Sequence, residues 1–215
     1  VTNHQFTPWP KTARLFRGIV VTEKIDGTNA AIHVTAVTAE HTWDSFPADS
    51  YTCVLDGVRY VISAQSRKRL IYPGKSTDNF GFAGWVYDNA RDLVRVLGEG
   101  LHYGEWWGQG IQRGYGRDSR SFSLFNTARY VEQFPMIENG MELSGGRLDV
   151  VPVLYEGPND TAAIRTELYS LKTWGSSAVP GWETPEGICV YHTATRSVSK
   201  VTLDANDAGK WEAGA

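Results

Sequence analysis

Apolar and polar positions alternate with a period of two over several short stretches of this chain. Valine, isoleucine, threonine and aromatic residues dominate them, which predicts β-strands at 17–24, 29–37, 59–65, 101–107, 121–127, 149–155, 187–193 and 197–203. Two stretches carry a helical period instead. The first follows Asp78-Asn79 as capping residues, places Phe82, Trp85, Val86, Leu93 and Val96 or Leu97 near helical spacing, and stops at Gly98. The second begins near Asp160-Thr161, sets Ile164, Leu168 and Leu171 on one face, and ends at Gly175. Strand clusters with few helices and no regular strand–helix alternation predict an α+β fold of mainly antiparallel sheets with a few packed helices. No repeat or Pro/Gly/Ser-rich linker divides the 215 residues, so a single domain over 1–215 is expected.

Composition narrows the function classes. With 21 basic and 24 acidic residues the net charge is −3, which argues against a chain whose main task is to coat nucleic acid. A local basic groove remains open, with Arg67-Lys68-Arg69 and the spread of Arg113, Arg117 and Arg120 as candidates, though either also reads as a solvated face. Eight Trp, ten Tyr and eight Phe supply flat side chains suited to a core or to stacking on bases and sugars. Cys53 and Cys189 form no metal spacing and no disulfide framework, so a reducing compartment is expected. No leader pattern and no membrane-length apolar run is seen, so a cytoplasmic protein without membrane contact is expected.

Residues 20–34, VVTEKIDGTNAAIHV, carry two readings. As shape, Asp26-Gly27 between alternating runs predicts a β-hairpin. As chemistry, Lys24-x-Asp26-Gly27-x-Asn29 puts an amine, an acid and an amide around a glycine that lets a ligand approach the backbone. A lysine attacks phosphorus only as the neutral amine, whereas a free lysine titrates at about 10.4. Burial at a strand end and a neighbouring cation both favour the neutral form.

A nucleotide site also needs carboxylates for a divalent cation, basic groups for phosphates and a slot for the base. Downstream, Arg67 lies in QSRKRLI, Glu105 in HYGEWWGQGIQRGYG, Phe122 and Phe125 in SFSLFNTARY, Glu186 in TPEGICVYHT and Lys200 in RSVSKVTL. Each has a plain reading as an edge acid, core aromatic, turn or solvent-facing lysine. Their order along the chain resembles that of the covalent nucleotidyltransferase superfamily, and EKIDGTN, GEWWGQGIQRGY and PEGICVY look most like the phage-type ATP-dependent RNA ligases. Capping enzymes and most DNA ligases carry arginine where this chain has Asn29. The resemblance runs from about residue 17 to 203.

It implies a nucleotidyltransferase (ATP-grasp-like) domain that uses ATP with Mg²⁺ or Mn²⁺. Lys24 would attack the α-phosphate, release pyrophosphate and hold AMP as a phosphoramidate. AMP would then pass to an RNA 5′-phosphate, and a 3′-OH would attack to seal the strand, as in RNA repair. By the same resemblance Glu23 would face the adenine amino group, with Asp26 and Asn29 near the ribose and the metal's water shell. Arg67 would meet the ribose and the incoming phosphate. Phe125 would stack on adenine, with Phe122 as the alternative register. Glu105, Glu186 and Asp26 would support the metal, and Lys200 would bind the α-phosphate.

Two departures stand out. Relatives carry two lysines separated by one residue in the last motif, whereas Lys200 is flanked on its face by Val198 and Thr202, with Lys210 a possible substitute. About fifteen residues follow Lys200, so a lone adenylyltransferase domain without a C-terminal accessory domain is expected, and sealing could call for an accessory protein. A DNA or broad polynucleotide ligase is the nearest alternative. From another class, a non-catalytic module could bind nucleic acid or carbohydrate through Trp106-Trp107.

Overall fold

A computed structural model describes residues 8–9 and 11–204. In chain order the elements are β1 (Gly18–Lys24), β2 (Thr28–Ala36), β3 (Tyr51–Leu55), β4 (Val58–Ser66), β5 (Leu70–Ile71), α1 (Phe82–Asp88), α2 (Ala90–Leu97), β6 (Gly100–Gly108), β7 (Arg120–Leu124), α3 (Thr127–Gln133), β8 (Met141–Leu143), β9 (Gly146–Val150), β10 (Val153–Pro158), α4 (Thr161–Trp174), β11 (Gly187–His192) and β12 (Ser197–Thr202). They form two sheets. The smaller runs β10-β1-β11-β12, and the larger runs β3-β4-β2-β6-β7-β9-β8 with β5 beside β4. Every pairing is antiparallel except β7 with β9. The expected α+β class with mainly antiparallel sheets is what the chain adopts.

Alternation sets which face of each sheet is covered. On β2, β4, β6 and β7 the apolar positions Ile32, Ile62, Trp106 and Phe122 face α1 and α2 in one core with Phe82, Trp85 and Leu93. On the small sheet Ile19, Val21 and Ile188 pack against Leu171, Ile164 and Leu168 of α4. That helix starts where Asp160 Oδ1 accepts the amide of Ala162 at 2.8 Å, and Gly175 follows its last residue. The other faces of the two sheets look at each other across a groove, closed at one end by Ile25, Trp107, Tyr115 and Val151 packed against Ala178, Val179 and Trp182.

Three expectations are corrected. Asp26-Gly27 does not close a hairpin: β1 pairs with β10 and β11, whereas β2 pairs with β4 and β6, so residues 25–27 cross from one sheet to the other. The turn's backbone is satisfied by β6 and the loop that follows it, with Asp26 N–H donating to the Tyr115 hydroxyl at 2.9 Å and Gly27 N–H to Glu105 Oε1 at 3.1 Å. The strand expected at 149–155 is two strands in different sheets, broken at Val151-Pro152, where proline has no N–H to continue the ladder. The first helix is two. Asp78 does cap it, accepting the amides of Ala83 and Gly84 at 2.8 and 3.0 Å. Asn89 interrupts it, and its side chain donates to Trp85 O and Ser144 O and accepts the amide of Ser144.

Candidate active site

Lys24 ends β1 on the face turned to the groove. Its Nζ donates to Glu186 Oε2 at 2.5 Å, and both side chains are largely buried. Glu186 is brought there by register, because Lys24 lies opposite Gly187, the first residue of β11. On the same face, Thr22 lies opposite Cys189 and Cys189 opposite Lys200. The period of two therefore aims Lys200 into the groove, as expected. Lys210 falls outside the described residues.

The large sheet supplies the facing wall. Asn29 and Glu105 are opposite each other, and Asn29 Nδ2 donates to Glu105 Oε2 at 2.6 Å. Arg67, just past β4, donates through Nε to Asn29 Oδ1 at 2.8 Å and through Nη2 to the same oxygen. One carboxylate thus gathers the turn amide of Gly27 and the Asn29 amide, and Asn29 gathers Arg67. The crossing of residues 25–27 presses on β6 closely enough to require glycine: a Cβ at Gly27 would stand 2.5 Å from Trp106 O and 2.7 Å from the Trp107 Cβ.

Electrostatics follow the burial. Desolvation lifts Glu105 from its ordinary 4.5 to about 7, opposed by Asn29, Lys24 and the Gly27 amide and reinforced by the nearby Glu186 charge. Lys24 is thus paired with the Glu186 carboxylate and near enough to Glu105 for its charge to be felt there. Burial also raises the Cys189 thiol, which shares the electrostatic field of Lys24, Glu186, Glu105 and Lys200.

Phe125 follows β7 on the groove face and is 44% exposed, beside Tyr103, whose carbonyl accepts its amide at 3.0 Å. The two rings line a cavity of about 260 Å³ with Asn29, Gln65 and Arg67. Phe122 points the other way, fully buried with its ring 4.9 Å from Phe82, so no ligand reaches it and the alternative register is excluded. Trp106 and Trp107 are each 1% exposed and donate to Phe80 O and Ser123 Oγ, so these two rings offer the non-catalytic reading no surface.

Two expected residues do not join the cluster. Glu23 faces the opposite side of the small sheet, where its carboxylate accepts Ser176 Oγ at 2.6 Å and the amides of Ser177 and Ala178 at 2.8 and 2.9 Å. Burial raises it. The Asp26 carboxylate is taken by Arg113 Nε at 2.9 Å. Among the described residues no three His, Cys, Asp or Glu side chains converge as a metal-holding group. The expected trio of Glu105, Glu186 and Asp26 is therefore reduced to the Glu105 and Glu186 carboxylates near Lys24. Nothing in the sequence marks Cys189 and Tyr115 as belonging to the site, and it offers Arg113 only as part of a basic groove; Arg113 and Tyr115 lie in the same GQGIQRGYG run that follows Glu105.

A groove between two mainly antiparallel sheets, with lysine and acid at its centre, has the architecture of a nucleotidyltransferase-type domain. The sequence profile of the RNA ligase family matches residues 17–208, and the chain belongs to that family. Comparison with curated protein sequences finds no match. Solved structures of a Naegleria gruberi RNA ligase share the fold. An apo variant is 15% identical with a TM-score of 0.52, covering 87% of this chain and 50% of that one. A glutamate-to-alanine variant with ATP and Mn is 15% identical with a TM-score of 0.53, covering 89% and 51%. A lysine-to-methionine variant with AMP and Mn is also 15% identical, with a TM-score of 0.51 and the same coverage. The chain thus spans about half the length of these relatives.

Proposed function

We propose that this chain is the adenylyltransferase domain of an ATP-dependent RNA ligase and that Lys24 becomes covalently attached to AMP. The observation that carries the reading is the Lys24 ammonium held 2.5 Å from Glu186 with the Glu105 carboxyl close by. An ammonium in that contact has no free electron pair, so the pair must open and Lys24 must release a proton to solvent before attack. The amine then forms a P–N bond to the α-phosphorus as the P–O bond to pyrophosphate breaks. Lys200 and Arg67 neutralise charge on the phosphoryl oxygens, Phe125 offers its exposed ring to adenine, and Asn29 and Glu105 hold the ribose.

Two carboxylates flanking the nucleophile suit a divalent cation shared with phosphate oxygens rather than one enclosed by protein. Glu105 and Glu186 would hold Mg²⁺ or Mn²⁺, which supplies charge neutralisation at the phosphate. The adenylyl group then passes to an RNA 5′-phosphate, freeing Lys24, and a 3′-OH displaces AMP. The two free thiols are in keeping with a reducing, cytoplasmic setting.

The test is intact mass before and after ATP and Mg²⁺. One adenylyl group added to the wild type, absent in Lys24→Ala and discharged by pyrophosphate, is the expected result. No adduct with any nucleotide or divalent metal would sink the proposal. Competition between RNA and DNA 5′-phosphate ends decides the strand class.

A further inference from the structure

Arg113 has no part in the chemistry above, yet it touches three segments that carry it. It lies beyond β6, in the loop that leads to β7 of the large sheet. Its Nε donates to Asp26 Oδ2 at 2.9 Å, its Nη1 to Thr184 O at 3.1 Å, and its Nη2 to the Asp204 carboxylate. Asp26 stands two residues after Lys24, Thr184 two before Glu186, and Asp204 four after Lys200. The side chains of Arg113 and Asp26 are 21% and 27% exposed, so solvent screens their pairing only in part. Burial pulls the guanidinium down, but the hydrogen bond to Asp26 and the Asp204 and Asp26 charges outweigh it and hold Arg113 above its ordinary range.

Its surroundings are closely packed. Tyr115, two residues on, is buried, takes the Asp26 amide on its hydroxyl, and packs its ring 5.0 Å from Trp107 and 5.5 Å from Trp182. A planar guanidinium presents its donors in a fixed fork, so it can set three acceptors at defined angles where an ammonium cannot.

We infer that Arg113 is a positioning residue that fixes the Lys24 turn and the segments bearing Glu186 and Lys200 at one spacing across the groove. Its action is on geometry: it sets the nucleophile, the acid and the phosphate-binding lysine relative to one another without contacting the nucleotide. Misplacement of reacting groups by about 1 Å costs on the order of 100-fold in rate. The inference rests on the adenylyltransferase reading.

The experiment uses Arg113→Gln, Arg113→Lys, Asp204→Asn and the Arg113→Gln/Asp204→Asn pair. Single-turnover adenylylation is followed by intact mass across ATP concentrations, and ATP affinity is measured by calorimetry on a Lys24→Ala background. Arg113→Gln is expected to slow the covalent step about 10- to 100-fold at saturating ATP. Half-saturation and calorimetric affinity are expected to stay within about threefold. Arg113→Lys should restore part of the rate, since it keeps the charge and loses the fork. Asp204→Asn should slow the step mildly and add nothing to Arg113→Gln.

A rate for Arg113→Gln within twofold of wild type would overturn the inference, as would a loss of ATP affinity matching the loss of rate, or additive effects in the pair. Should Arg113→Gln fail to fold, Arg113→Lys and Asp204→Asn decide the matter by the same split between rate and affinity. A wild type that forms no adduct would overturn the adenylyltransferase reading itself, and this inference with it.

Discussion

Glu105 makes stability depend on pH in a way that one substitution isolates. Burial lifts its carboxyl from 4.5 to about 7. Between those values the folded chain holds a proton that the unfolded chain has released, so stability falls as pH rises from 4.5 to 7 and then levels off. At about 1.36 kcal/mol per pH unit the fall amounts to about 3 kcal/mol. Asp149, lifted to about 6 by burial, and Glu23, also raised, add slopes of the same sign, so the wild-type curve alone does not resolve Glu105. Glu105→Gln does. It leaves the other two in place, and the difference between the curves belongs to residue 105.

The glutamine costs something of its own, because its amide meets the Asn29 amide that now donates to Glu105 Oε2. An unsatisfied buried donor costs about 1–3 kcal/mol at every pH. The variant should therefore be clearly less stable at pH 5 and close to wild type at pH 8, the gap narrowing by about 3 kcal/mol. Urea denaturation at half-unit pH intervals measures it. A gap that stays constant from pH 5 to 8 would refute the reasoning, since Glu105 would then carry the same proton in both states.

Gly27→Ala should cost about 1–3 kcal/mol in urea denaturation and slow adenylylation more than tenfold, since the added Cβ forces the Lys24 turn off β6. Phe125→Ala should weaken ATP binding by about 1–3 kcal/mol in calorimetry with little change in Tm. Phe122→Ala should do the reverse, losing about 3–5 kcal/mol of stability while ATP affinity holds. Asn89→Ala strands the Ser144 amide and should cost about 1–3 kcal/mol, read as a lower Tm with unchanged adenylylation at 25 °C.

What was legible in the residues was whatever depends on local period or on order along the chain. Alternation located β1, β2, β4, β6, β11 and β12 to within a residue or two, and it aimed Lys24 and Lys200 onto one face. Order in the chain singled out Lys24, Arg67, Glu105 and Glu186, which the fold draws together. Pairing across long separations was not legible. Asp26-Gly27 has the local chemistry of a hairpin, and only the register of β1 with β11 and of β2 with β6 makes it a crossing. Glu23 sits beside Lys24 in sequence, yet the same period of two that turns Lys24 to the groove turns Glu23 away from it. Arg113 was legible only as part of a basic spread, and not as a link between segments, because its three acceptors lie 87, 71 and 91 residues away.

The pairing of Lys24 with Glu186 spans 162 residues. At ribosomal speeds of about 5–20 residues per second, the amine exists for roughly 8–30 seconds before its carboxylate partner has been synthesised. Over that interval β1 has neither of its neighbours for most of the time, since β10 and β11 both come late. The large sheet can begin to form from β2, β4 and β6 while β1 waits. The proposed adenylylation therefore has to wait until β11 has been made and has paired with β1, and the groove is completed only after most of the large sheet is available to fold.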